Sequence, residues 1–168
     1  ACPTGAIDAR GNVVDARRCI SYHTIENRGW IPVELRAQFG NWVFGCDACL
    51  DACPVGFRAG PGDPALAPES GEAAAPELVP LLELDEAVFL ARFQGRPIMR
   101  AKRAGMARNA CIALGNTGTA EELPALVRAL DDPSPVVRGH AAWAIGELAG
   151  RGMLTQGAAG DAATTLSA

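Results

Sequence analysis

The chain has 168 residues, a formal charge of −4 and six cysteines, a length that accommodates one domain or two small ones. An acidic balance excludes a chain that coats nucleic acid by bulk positive charge. No apolar run approaches the ~18 residues that a membrane span needs.

Residues 1–54 carry five of the six cysteines. The opening "ACPTGAI" begins on a Cys-Pro step with nothing before it, so the chain reads as a fragment whose N-terminal part is absent. "VDARRCISYHTIENRG" predicts a turn and then a short helix ending near Gly29. "IPVELRAQFGNWVFGC" predicts a helix started at Pro32, apolar at Val33, Leu35 and Phe39, and broken at Gly40. Residues 55–80 hold five prolines and four glycines, a composition that sustains neither helix nor ladder and predicts an extended linker.

From residue 81 the pattern turns helical. "LDEAVFLARFQG" offers Asp85 as a cap and Gly95 as a stop. "RAKRAGMARNACIALGN" sets Ala107, Ala110, Cys111 and Leu114 on one apolar stripe. "TAEELPALVRALDD" opens on a threonine cap with carboxylates in the first turn, where the helix dipole favours them. "SPVVRGHAAWAIGELAG" aligns Val137, Ala141, Ala144 and Leu148 after a Ser-Pro start. "ACIALGN" from Ala110 and "AAWAIGE" from Ala141 match at an offset of 31 residues, a short HEAT-like period. The expected fold is therefore mainly α: a partial ferredoxin-type [4Fe–4S] segment over 1–54, the linker over 55–80, a HEAT-like helical repeat over 81–150 and a disordered tail over 151–168.

"GCDACLDACP" places Cys46, Cys49 and Cys53 in a C-x2-C-x3-C-P run. The bacterial iron–sulfur run is C-x2-C-x2-C-x3-C-P, and its last cysteine serves the other cluster of a pair. Applied here, Cys46 and Cys49 hold one cube completed by Cys19 and by Cys2, the Cys-Pro cysteine of the earlier motif. Cys53 then reaches a second cube. Proline after each bridging cysteine fixes the turn and removes a competing N–H. An all-cysteine zinc site is the rival, and three disulfides are a third arrangement. A metal or cluster implies a reducing, cytoplasmic setting. Cys111, inside an apolar stripe, reads as a buried core thiol.

Between Arg92 and Arg108 stand six basic residues and no acidic one. Arg100 and Arg103, three apart, are expected on one helix face with Lys102 and Arg108 flanking it, a stripe suited to phosphate contacts. His23, His140 and Trp143 read as packing residues.

Taken in order, "ACPTGAI", "RRCISYHTIENRG", "GCDACLDACP" and "RNACIALGN" resemble the C-terminal half of the epoxyqueuosine reductase family over about residues 1–150. The resemblance implies an iron–sulfur and cobalamin enzyme, related to reductive dehalogenases, that reduces epoxyqueuosine to queuosine at the wobble position of certain tRNAs. It implies Cys2, Cys19, Cys46 and Cys49 as ligands of one cluster and Cys53 as a ligand of the other. Ser21 and the Cys46–Cys49 loop, with Asp47 and Ala48, are implied near cobalamin, and Arg28 near the nucleic acid. The cobalamin domain and proton donor are expected upstream of Ala1, so this chain alone is expected to be inactive, with no catalytic residue of its own. A small donor such as ferredoxin or flavodoxin, a tRNA partner and a monomeric state complete the expectation. The alternative is a ferredoxin-like electron carrier fused to a helical-repeat interaction domain.

Overall fold

The computed structural model describes residues 2–58, 60, 62–67 and 75–153. The expected tail lies almost wholly outside them, as do residues 59, 61 and 68–74 of the expected linker. The described chain is mainly helical. Its single pairing of extended backbone is an isolated antiparallel bridge between Ile7 and Val14, and none of its helices is long and apolar enough to cross a membrane.

The cysteine-rich part is built from short pieces: α1 (Ile20–Ile25), α2 (Val33–Arg36) and α3 (Ala48–Asp51), with 3-10 turns at Ala16–Arg18 and Ala37–Phe39. Gly40 ends the second piece with a φ of 55°, a conformation that costs glycine little. Ile20, Ile31, Leu35 and Phe39 form its small core, to which Ile112 of the repeat contributes.

The helical part that follows carries α4 (Leu78–Leu82), α5 (Glu86–Phe93), α6 (Lys102–Thr117), α7 (Leu123–Arg128) and α8 (Pro135–Gly150), its first helix starting inside the expected linker. Asp85 caps α5 by accepting the Val88 N–H at 2.7 Å. Thr119 and Glu122 form a reciprocal capping box that starts the next turn. The two sequence-matched helices, α6 and α8, pack together with Ala107, Ala110, Cys111, Leu114, Val137 and Ala144 in the shared core. Gly115 permits the close approach: a Cβ there would lie 2.7 Å from the Trp143 ring and 3.0 Å from the Ala144 Cα.

Helix α6 is buried nearly all round, from Arg103 to Gly115 with one partial gap at Ala104, because α4 and the cysteine-rich loops cover the sides that α8 leaves open. Three of its polar residues clamp those loops. Arg108 donates to the carbonyls of His23, Asn27 and Gly29 at 2.6–2.8 Å. Asn109 donates to those of Thr24 and Val43, and Asn116 to those of Arg36 and Gly40, at 2.8–2.9 Å. The Arg36 guanidinium lies 5.4 Å over the Trp143 ring.

From α8, His140 completes the join. Its ring stacks on Trp30 at 5.3 Å, its Nδ1–H donates to the Val136 carbonyl at 2.7 Å, and its Nε2 accepts the Ile31 N–H at 3.4 Å. Burial, aided by the Arg36 and Arg108 charges and opposed by the Val136 bond, pushes its pKa down to about 3. Above pH 6.5 the imidazole is neutral in both folded and unfolded chains, and its linkage contributes nothing to any pH slope. Below 6.5 the unfolded chain takes up a proton that the folded chain refuses until about pH 3. Stability should therefore fall by roughly 1.4 kcal/mol per pH unit in that window, or about 2 kcal/mol by pH 5. Urea midpoints at pH 7 and pH 5 check this, and His140→Gln should remove that share of the slope.

Candidate iron–sulfur centre

Four of the five motif cysteines converge. Cys2, Cys19, Cys46 and Cys49 line one small recess of about 70 Å³, whose walls are completed by apolar Pro3, Ala6, Ile7, Val14 and Ile20. Each reaches it from a different local structure. Cys2 sits before Pro3 in a turn closed by the Gly5 N–H on the Cys2 carbonyl, with Gly5 at a φ of 61°. Cys19 is the extended residue between the Ala16–Arg18 turn and α1, and its carbonyl accepts the His23 N–H. Gly45, at a φ of 79°, donates its N–H to the buried Thr24 hydroxyl at 3.0 Å and so aims Cys46. Cys49 rides on α3, which Asp47 opens by accepting the Leu50 and Asp51 amides.

The electrostatics follow from this gathering. Burial pushes the Cys46 thiol up; the Ala48 amide opposes that, and nearby Cys19, Cys49 and Cys2 add to it. At Cys2 burial also acts upward, but the Thr4 hydroxyl and the Ala6, Thr4 and Ile7 amides outweigh it and hold the thiol below its ordinary value. Cys53 stands apart from the recess. Its thiol is lowered by the Gly56 and Val55 amides, so both Cys-Pro turns aim backbone N–H groups at their sulfur. Cys111 is fully buried, its pKa raised by desolvation, as a core thiol should be.

All six cysteines are free, so the disulfide arrangement does not occur. Among the described residues no three His, Cys, Asp or Glu side chains converge closely enough for one metal ion. Zinc thiolates lie about 2.3 Å from a single centre. Sulfurs spread around a recess suit a polynuclear group with four thiolate corners.

The other expected site residues are scattered. Asp47 and Cys49 are exposed, while Ser21, Cys46 and Ala48 are half-buried. Arg28 is exposed, donating to the Ile25 carbonyl at 3.3 Å. The expected basic stripe is corrected. Arg100 ends a 3-10 turn at Pro97–Arg100, and Lys102, with a φ of 63°, separates it from the body of α6. Arg100 is exposed and paired with Glu26, and Lys102 is exposed. Arg103 is buried in a two-pronged bridge to Asp132 at 2.7 and 2.8 Å. Arg108 is 1% exposed, inside the clamp on the loop carbonyls. Neither arginine faces solvent, so neither presents its charge to a phosphate. Asn109 and Asn116, which sequence reasoning passed over, lie seven apart on a helix that is apolar from Ala110 to Gly115 between them, Asn109 buried and Asn116 half-buried; amides two turns apart flanking such a run are the signal that marks such a clamp.

Residues 1–56 match the family model described as a 4Fe-4S double cluster binding domain, which sets the zinc reading aside. Residues 97–160 match that of HEAT repeats. The epoxyqueuosine reductase of Alicycliphilus denitrificans is 44% identical over 158 residues, covering 87% of this chain and 42% of that protein. This chain is a relative of the epoxyqueuosine reductases. Their counterpart in Bacillus subtilis is 38% identical over 153 residues, covering 88% of this chain and 38% of its own length. The chain thus spans about two fifths of the length of these curated relatives. Two solved structures are similar in fold. An epoxyqueuosine reductase holding a tRNA-Tyr epoxyqueuosine-modified stem loop superposes with a TM-score of 0.79 at 37% identity, covering 88% of this chain and 39% of that one. The Streptococcus thermophilus epoxyqueuosine reductase gives 0.78 at 31%, covering 94% of this chain and 40% of that one.

Proposed function

We propose that this chain forms the iron–sulfur and helical-repeat part of a reductase acting on epoxyqueuosine in tRNA. The observation that carries the reading is the gathering of Cys2, Cys19, Cys46 and Cys49 around one apolar recess, in a chain similar to named epoxyqueuosine reductases. Those four thiolates would hold one [4Fe–4S] cluster, and Cys53 would ligate a second. Such a group, when bound, supplies single electrons at low potential. The protein's own part is to hold the four sulfurs apart at fixed positions, wall them with apolar side chains and aim N–H donors at them.

Cobalamin is the second cofactor of this reading, and when bound it supplies the reduction at carbon. Ser21, Cys46, Asp47, Ala48 and Cys49 would lie beside it, and the exposure of Asp47 and Cys49 leaves that rim open to a cofactor. A ferredoxin or flavodoxin would donate the electrons to a monomeric, cytoplasmic enzyme.

Anaerobic reconstitution tests the centre. About four irons and four acid-labile sulfides per chain are expected, and Cys19→Ala should lose most of both. Zinc bound without sulfide would overturn the reading.

The tRNA would meet those of the expected cations that lie on the surface: Arg28, Arg100 and Lys102. Replacing Arg28 or Lys102 with alanine should weaken binding of a tRNA stem loop and lower the slope of log K against log salt by about 1 each. A salt titration that leaves both slopes unchanged would remove these residues from the interface.

A further inference from the structure

Thr4 is a buried polar residue to which the cluster-holding scaffold gives no other hydroxyl partner. It is 1% exposed, and among the described residues its hydroxyl has one hydrogen-bond partner, the Cys2 sulfur, at 3.5 Å. The residue is pinned from its other side, because Arg18 Nε donates to the Thr4 carbonyl at 2.8 Å. The Ala6 amide approaches the same sulfur at 3.3 Å. Cys46 and Cys53, by contrast, are met by backbone amides. Among the described residues, Thr4 supplies the single side-chain hydrogen-bond partner on any of the five motif sulfurs.

Between a thiol and a hydroxyl either atom can donate. A ligating cysteine is a thiolate and has no proton, so with Cys2 as a ligand the hydroxyl must be the donor. Hydrogen bonds to the sulfurs are among the features that set a cluster's reduction potential. A donor at the sulfur stabilises the reduced state, which carries the extra negative charge, more than the oxidised one.

We propose that the Thr4 hydroxyl, by donating to the Cys2 sulfur, raises the reduction potential of the cluster that Cys2 ligates. Thr4 is thus a tuning residue, acting on the cluster through its ligand. The couple concerned is the gain of one electron by the cluster from an added reductant; no bond is made or broken, and the hydroxyl proton stays on its oxygen. The inference rests on the reading of Cys2 as a cluster ligand.

The test is a redox titration of the reconstituted chain, read by electron paramagnetic resonance, with iron and sulfide counted in every sample. Thr4→Val keeps the shape and removes the donor, Thr4→Ala removes donor and bulk, and Thr4→Ser keeps the donor. At the wild-type midpoint, the valine and alanine variants should show a reduced-to-oxidised ratio about fivefold lower. That corresponds to about 40 mV for a one-electron couple. The serine variant should stay within about twofold of wild type. Unchanged ratios in valine and alanine, or a serine ratio that falls as far as theirs, would overturn the proposal. Loss of iron from both donorless variants while serine loads normally would also overturn it, in favour of a purely structural threonine. If the wild-type chain itself takes up no iron and sulfide, it is the cluster reading that fails.

Discussion

Replacing Arg108 with alanine should cost this protein roughly 3–6 kcal/mol of stability. The side chain is almost wholly buried and serves three backbone carbonyls, His23, Asn27 and Gly29, together with the Asn109 side-chain oxygen. Truncation leaves the three carbonyls facing an apolar helix, and each buried orphan costs about 1–3 kcal/mol, lessened where water can enter. Burial and the nearby Arg28 lower the guanidinium's pKa to about 10, so it is still charged at neutral pH and its bonds are charge-assisted. Lysine, with one compact ammonium in place of a planar fork, should recover less than half of the loss. Urea denaturation reads the cost, and Arg108→Met separates lost volume from lost donors. A change below about 1 kcal/mol for alanine would mean that the loops hold without the clamp.

Gly115→Val should cost about 3 kcal/mol, whereas the same change at Gly146 should cost little. The two glycines align at the 31-residue offset and look equivalent in sequence. In space they differ. A Cβ on Gly115 would lie 3.0 Å from the Ala144 backbone, which cannot swing away as a side chain can, so α6 and α8 must part. Overpacking of this kind costs about 1–3 kcal/mol, and the branched side chain regains only a few tenths through helix propensity. A Cβ on Gly146 would meet nothing within 4 Å. Thermal unfolding of the pair is a self-controlled measurement: equal effects would show that propensity, not the α6–α8 approach, governs these positions.

Much of the architecture was legible because its signals are local. Asp85, Gly95 and Thr119 cap or stop helices where the sequence places them, since capping is settled within four residues. The cysteine spacing, equally local, falls in the segment matched by the 4Fe-4S double cluster binding model. The arginines failed as local signals. Arg103 looked unopposed because no acid lies between 92 and 108, yet its partner Asp132 is 29 residues away across the fold. Arg108 reads the same whether its guanidinium meets water or peptide carbonyls. Thr4 likewise looks like any turn residue until the Cys2 sulfur is seen beside it.

Arg108, Asn109 and Asn116 bond seven carbonyls of the cysteine-rich loops, those of His23, Thr24, Asn27, Gly29, Arg36, Gly40 and Val43. Every acceptor is main chain, an oxygen that any amino acid would supply. The constraint is therefore lopsided. Drift at the accepting positions is limited by backbone shape and by what their side chains do elsewhere, while the three donors on the helix are held to their identities. Two segments joined this way can diverge at very different rates without coming apart.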